Sequence, residues 1–248
     1  MRIRGALHVH SSLSHDGTLT ISELARWYRD HGYHFIALGE HSQDVDETKL
    51  RSLLEQSAES STPGFCVIPG LEFPCRGGLH ILGIGVTSLV RDLDPAEVIE
   101  AIHECDGYAV LAHPKRNGWK CPTEVIKNAD AAEIWNVCYD GKFLPSPQSL
   151  IGFQRMRKVN PRLFAVAGHD FHRKTSFYDV AVEMDLAFLS PAMILENLRS
   201  GRFKLHARLF RCNAEADFTP FQSARLLLLS LQIGWLRAVR DLLLRRSS

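Results

Sequence analysis

The chain has 248 residues, 45% of them apolar, and a formal net charge of +1 at pH 7. That length supports one sizeable core, and an α/β barrel can use it as a single domain. The balanced charge supplies no global field of the kind that draws a protein to nucleic acid or to a membrane, so such partners would need a local basic patch. Six cysteines are present without a CxxC pair, and the N-terminus runs straight into a polar, His-rich segment with no secretory pattern. Reduced thiols and a cytoplasmic location are the expectation.

Ile3 to Val9 reads as a strand and Thr20 to Asp30 as a helix, with Thr20 as N-cap and Glu23 completing a capping box. Phe35 to Leu38 is a second strand, Asp46 to Ala58 a helix, Phe65 to Ile68 a third strand, and His80 to Val86 another. Pro95 to Cys105 is helical with proline in its first turn. Further strands are predicted at Tyr108 to Ala112, Ala131 to Trp135, Leu163 to Ala167 and Tyr178 to Met184, with helices at Thr123 to Asn128, Ser146 to Val159 and Ala192 to Ser200. Alternating strands and helices argue for an α/β fold with a mostly parallel sheet and helices outside. The number of units points to a closed or nearly closed barrel, with a doubly wound open sheet as the alternative.

Residues 1–200 are thus expected to form the barrel, and 201–248 a linker followed by an extra C-terminal helix. Gly201 to Thr219 is the least regular stretch. Phe221 to Arg246 is rich in leucine and arginine, and its longest uncharged run, Leu226 to Leu236, is eleven residues, too short to span a bilayer. An amphipathic helix packed on the barrel or on a partner subunit is the reading, the second case making a homo-oligomer; a helix lying on a membrane surface is the alternative.

The chemistry lies in the histidines, twelve in all. His8 and His10 form an HxH pair, and residues i and i+2 of a strand face one side. Asp16 follows in the turn Ser14-His15-Asp16-Gly17. Glu40-His41 ends the second strand, Glu72 follows the third, His80 opens the next, His113 follows Val110-Leu111-Ala112, and Asp170 and His172 stand in Gly168-His169-Asp170-Phe171-His172. Any one of these alone is more often an ordinary loop histidine or surface carboxylate. Together, at strand ends that converge on one mouth, they would be costly to pack without cations.

The set Leu7-His8-Val9-His10-Ser11 through Asp16-Gly17, Gly39-Glu40-His41-Ser42, Gly70-Leu71-Glu72, His80-Ile81-Leu82-Gly83, Leu111-Ala112-His113-Pro114 and Gly168 to His172 resembles the polymerase and histidinol phosphatase (PHP) superfamily of metallohydrolases, in order and over about residues 1 to 185. The resemblance implies a distorted seven-stranded (β/α) barrel with its site at the C-terminal strand ends. It implies one metal on His8, His10, Glu72 and Asp170, a second on Glu72, His80 and His113, and a third on Asp16, His41 and His172. Two departures stand out. Glu40 replaces the usual aspartate before His41, and His15 competes with Asp16 as the ligand after HxH. Two or three divalent ions of zinc, manganese or iron suit such ligands.

The expected activity is phosphoester hydrolysis by a metal-activated hydroxide, which two ions make available at neutral pH while neutralising the phosphoryl oxygens. Asp170, His172 and His41 are the catalytic candidates, the two histidines as donors to the leaving group if they are not fully used as ligands. Lys115, Arg116 and Arg173 are candidates for gripping phosphate, with Arg76 and Lys174 nearby. Trp119, Trp135, Asn136 and Tyr139 are candidates for shaping the substrate end, Trp135 equally for the core. A small-molecule phosphomonoester is the leading substrate. The alternatives are a nuclease or phosphodiesterase, an amide hydrolase, and a non-catalytic metal-binding protein.

Overall fold

The structure, a computed structural model, describes residues 1–90, 93–141, 143–218, 222 and 224–232. Strand β1 (Arg2–Val9) leads through a polar turn to helix α1 (Ile21–Asp30), where Thr20 and Glu23 form the expected reciprocal cap. β2 (Phe35–Leu38) and β3 (Glu40–His41) are followed by α2 (Glu47–Ser60), capped by Asp46. β4 (Cys66–Ile68), β5 (Gly70–Pro74) and β6 (His80–Ile84) come next, then α3 (Pro95–Glu104) and β7 (Tyr108–Ala112). α4 (Thr123–Asn128), β8 (Ala131–Asn136), the single turn α5 (Val137–Asp140), α6 (Pro147–Val159) and β9 (Phe164–Phe171) complete the middle of the chain. β10 (Val180–Asp185), α7 (Pro191–Arg199), β11 (Lys204–Ala207) and β12 (Phe210–Asn213) follow.

The strands join one 12-stranded mixed sheet, with an open path β12-β11-β10-β1-β9-β8-β7-β6-β5-β3 and β2 and β4 branching from β1. The expectation of a closed or nearly closed, distorted seven-stranded barrel is corrected to this extent: the hydrogen-bonded sheet is not closed. Its ladder is interrupted at Gly39, between β2 and β3, and at Pro69, which has no N–H to donate, between β4 and β5. The sheet is also less parallel than expected. β6 runs antiparallel to both β5 and β7, and β10, β11 and β12 add antiparallel strands beyond β1. The reversal of β6 matters for the site. It brings the first residue of β6, His80, to the end of the sheet where its neighbours finish, opposite Pro74 and Ala112.

Two short strands stand within the stretch from Gly201 to Thr219 that was expected to be irregular. Lys204–Ala207 and Phe210–Asn213 alternate exposed and buried positions, the period of a half-buried strand, and pair as a hairpin on β10. Residues 224–232 are helical; Leu226 and Leu229 pack on the core while Leu227, Leu228 and Leu231 are exposed. The rest of the expected tail helix, 233–248, lies outside the described residues. No helix among the described residues is long and apolar enough to cross a membrane. All six cysteines are free.

Candidate metal centre

The structure brings all nine candidate ligands into one cluster around Glu72. This carboxylate is 1% exposed and stands on β5, in register with His41 on β3. Its Oε1 lies 2.7 Å from His113 Nε2 and 2.8 Å from His80 Nδ1; its Oε2 lies 3.1 Å from His41 Nδ1 and 3.5 Å from His8 Nε2. Asp170 Oδ1 lies 3.5 Å from His10 Nε2 and 3.8 Å from His8 Nε2. Asp16 spans the outer side, 3.3 Å from His41 Nε2 and 3.1 Å from His172 Nε2. Three groups emerge whose ligand atoms lie within 4.8 Å of one another: His8, His10 and Glu72; Glu72, His80 and His113; His10, Asp16, His41 and His172.

Backbone strain is concentrated here. His8, His113 and Asp170 all have positive φ, at 64°, 31° and 49°. For residues other than glycine this conformation is uncommon and costs of order 1–3 kcal/mol each. At His8 the pairing of β1 with both β2 and β9 shifts register between Leu7 and Val9. A bulge, not regular strand alternation, therefore turns His8 and His10 into the same space, with ring centroids 5.0 Å apart.

The electrostatics are those of a buried site crowded with both signs. Burial pulls the His8 imidazole down, but the carboxylates of Glu133, Glu72 and Asp170 raise it well above its ordinary value. Burial also drives His10 down, to about 4, against the pull of Asp170. Burial pushes Glu72 up, and His8, His113 and His41 overcome it, holding the carboxyl well below its ordinary value. Asp170 is likewise lowered, by His8 and His10 against burial. His8 Nε2, both ring nitrogens of His10 and Asp16 Oδ1 are buried without a hydrogen-bond partner. Buried polar atoms are normally satisfied, and the Nε2 atoms of His8 and His10 both stand within 4 Å of the Glu72 and Asp170 carboxylates, so the residues present fit divalent cations bound among them.

Glu40 is fully buried and accepts from the Ser11 N–H at 2.9 Å and from the Ser14 hydroxyl, fixing the loop that carries Asp16. His15 turns outward: its side chain is 62% exposed and its Nδ1 lies 2.7 Å from Asp44 Oδ2, so Asp16 is the member that joins the cluster. His169 also leaves the site, packed between the Tyr28 hydroxyl and the Val180 carbonyl. Arg116 Nη1 donates to His80 Nε2 at 2.9 Å and is the basic group at the cluster's edge. Lys115 is drawn to Asp140, 3.3 Å away, and to the Tyr139 carbonyl. Arg173 is exposed, and Lys174 sits over the Trp27 ring. Trp135 is core, 1% exposed and edge-on to Phe210, while the Tyr139 ring lies tilted beside that of His113, with centroids 4.9 Å apart. Trp119 packs against Gly152 of α6.

Glu133 is the residue that sequence reasoning passed over. It lies on β8, 1% exposed, with Oε1 2.7 Å from His8 Nδ1 and Oε2 accepting from the His113 N–H and the Asn136 amide, both at 2.8 Å. The available signal was a carboxylate inside the apolar run Ala131-Ala132-Glu133-Ile134-Trp135, a place where an acid is rarely tolerated without dedicated partners.

No family model and no curated protein matches the chain. Solved structures do. A protein of Bifidobacterium adolescentis described as a metal-dependent phosphoesterase aligns with a TM-score of 0.50 and 18% identity over 68% of this chain and 88% of its own. An amidohydrolase from Chromobacterium violaceum, with bound sulfate, aligns with a TM-score of 0.52 and 16% identity over 78% and 96%. The lesion-specific endonuclease EndoQ from Pyrococcus furiosus aligns with a TM-score of 0.58 and 15% identity over 81% of this chain and 56% of its own. At these identities the likeness is one of fold.

Proposed function

We propose that this protein is a metal-dependent phosphoester hydrolase whose substrate is a small-molecule phosphomonoester. The observation that carries the reading is the Glu72 carboxylate, in contact with four imidazoles inside a cluster where both ring nitrogens of His10 are buried without a hydrogen-bond partner. His8, His10, Glu72 and Asp170 would hold one divalent ion, Glu72, His80 and His113 a second, and Asp16, His41 and His172 a third, with His10 beside it. Such nitrogen and oxygen sets suit zinc, manganese or iron. Bound ions of this kind supply an acidified water and neutralise the charge of the phosphoryl group.

The chain's own residues do the holding and aiming. The His172 Nδ1 lies 2.9 Å from the Asp170 carbonyl, which directs its Nε2 to Asp16. Both nitrogens of His41 face carboxylates. We therefore assign His41, His172 and Asp170 to metal binding and not to proton delivery. Arg116 is the phosphate-gripping group this reading favours. Arg116→Ala should lower kcat/KM by roughly 10- to 100-fold, chiefly through KM, the cost of losing a hydrogen bond to a charged group. A fall confined to kcat would contradict that role.

The same reading extends to the architecture. We infer that β2 with β3, and β4 with β5, are halves of single strands, so that the sheet curves as a seven-stranded barrel would around the site. β11, β12 and the helix at 224–232 are then an addition outside it. A cytoplasmic location accords with the free thiols. Oligomer formation through the helix remains a proposal from the leucines it exposes.

The test is a panel of p-nitrophenyl phosphate, sugar and nucleoside monophosphates against bis-p-nitrophenyl phosphate, dinucleotides and a chromogenic amide. Turnover of monoesters supports the proposal. Turnover of diesters alone would move the assignment to a phosphodiesterase or nuclease, the reading that the likeness to the endonuclease favours and the +1 net charge does not.

A further inference from the structure

We propose that Glu133 is a positioning residue that decides which nitrogen of His8 is offered to a metal, and that it does so from the hydrogen-bonding hub that also holds the strained turn at His113. The inference rests on the metal-centre reading above and goes beyond its ligand sets.

The Glu133 side chain is fully buried, as is that of His8. Its two oxygens have different tasks. Oε1 meets only His8 Nδ1, at 2.7 Å, while Oε2 takes both the His113 N–H and the Asn136 amide. A carboxylate only accepts, so Nδ1 of His8 must carry a proton, and Nε2 is the nitrogen that would present its lone pair to a cation. That nitrogen is buried, has no hydrogen-bond partner, and faces Glu72 and Asp170. The close approach is built into the backbone. Gly168 on β9 lies so near that a Cβ there would stand 1.9 Å from Glu133 Oε1, so no larger residue leaves room for the carboxylate. Both residues Glu133 holds, His8 and His113, have positive φ. They belong to two different ligand groups that share Glu72. Carboxylates that bond the far nitrogen of a metal-binding histidine fix its tautomer and orientation, and their loss typically costs about 10–100-fold in metal affinity.

Glu133→Gln makes a directional test. Glutamine has one acceptor oxygen. Placed at the Oε2 position it keeps the bonds from His113 and Asn136 and turns its NH2 toward His8. His8 Nδ1 must then accept, which puts the ring proton on Nε2, aimed at the ligand cluster. Metal-stripped wild-type and variant protein would be titrated with Zn²⁺ alone by calorimetry, with melting curves of both stripped proteins. The expected result is one zinc site weakened about 10–100-fold and the other sites unchanged, with any loss of melting in the stripped variant no larger than that of losing one side of a buried ion pair. Zinc binding at wild-type affinity throughout, or equal weakening of every site, would overturn the inference, because a merely structural acid has no reason to single out the His8 site. Should the variant fail to fold, long-range nitrogen–proton NMR of the zinc-loaded wild type replaces it. A proton on His8 Nδ1 is expected, and a bare Nδ1 overturns the inference. Wild-type protein that binds no zinc would overturn this inference and the metal reading together; wild-type binding with an indifferent variant overturns this one alone.

Discussion

Glu72→Gln is expected to remove at least one bound ion per chain and to cost more hydrolysis than the roughly 10–100-fold typical of losing a group that only orients a ligand. The reason is geometric. Glu72 Oε1 lies within 2.8 Å of both His80 Nδ1 and His113 Nε2, and Oε2 faces His41 and His8 from the other side. Two of the three ligand groups contain it. Glutamine keeps the volume but replaces one of those oxygens by an NH2, so at least one imidazole meets a donor where it met an acceptor. It also removes a negative charge from a space where His8 is raised, after burial, by that very carboxylate together with Glu133 and Asp170. Breaking a buried ionic arrangement on one side typically costs 3–5 kcal/mol, so the stripped variant should also melt below stripped wild type. Elemental analysis, an initial-rate assay and a melting curve on the same preparation check all three. Full metal content with wild-type turnover would remove Glu72 from the centre of the account.

Stripping the metals from wild-type protein is expected to lower its melting temperature by about 8–16 °C for each ion lost, if the ions were present at about a thousand times their dissociation constants. Binding to the native state alone is then worth about 4 kcal/mol per site, and each kcal/mol moves the midpoint by about 2–4 °C in a chain of this size. The stripped cluster must bury its imidazoles and carboxylates with only one another as partners, and His8, His10 and Asp16 already have atoms with none. Re-addition of zinc, manganese or iron should restore both melting and turnover. An unchanged melting curve on chelation would mean that the cluster satisfies itself without cations.

Most of the candidate site was legible because metal-binding side chains are recognisable by type and by place at strand ends. The reasons were less legible. His8 and His10 converge through a bulge and a left-handed backbone at His8, not through the two-residue repeat of a regular strand. His80 reaches the cluster because β6 is antiparallel, which no local pattern distinguishes from a parallel strand. Glu133 was hidden because its role depends on three partners up to 125 residues away. Lys115 follows His113 closely in sequence, yet Asp140 claims it, and such competition between neighbours is set by tertiary packing.

The same holds for the fold. The capping box at Thr20, the proline-led helix α3 and most strand cores follow from local rules. The breaks at Gly39 and Pro69, which leave the sheet an open path, do not. The alternation in Lys204–Ala207 and Phe210–Asn213 is visible in the sequence but short, and it lies in the least regular stretch of the chain.

The central claim is that the imidazoles and carboxylates around Glu72 form a multinuclear metal centre. Elemental analysis of protein purified without chelator or affinity-tag metal, with a chromogenic phosphomonoester assay on the same sample, tests it most directly. The account predicts two or three equivalents of transition metal per chain and hydrolysis that chelation abolishes. Less than one equivalent, not raised by added zinc, manganese or iron, would contradict it.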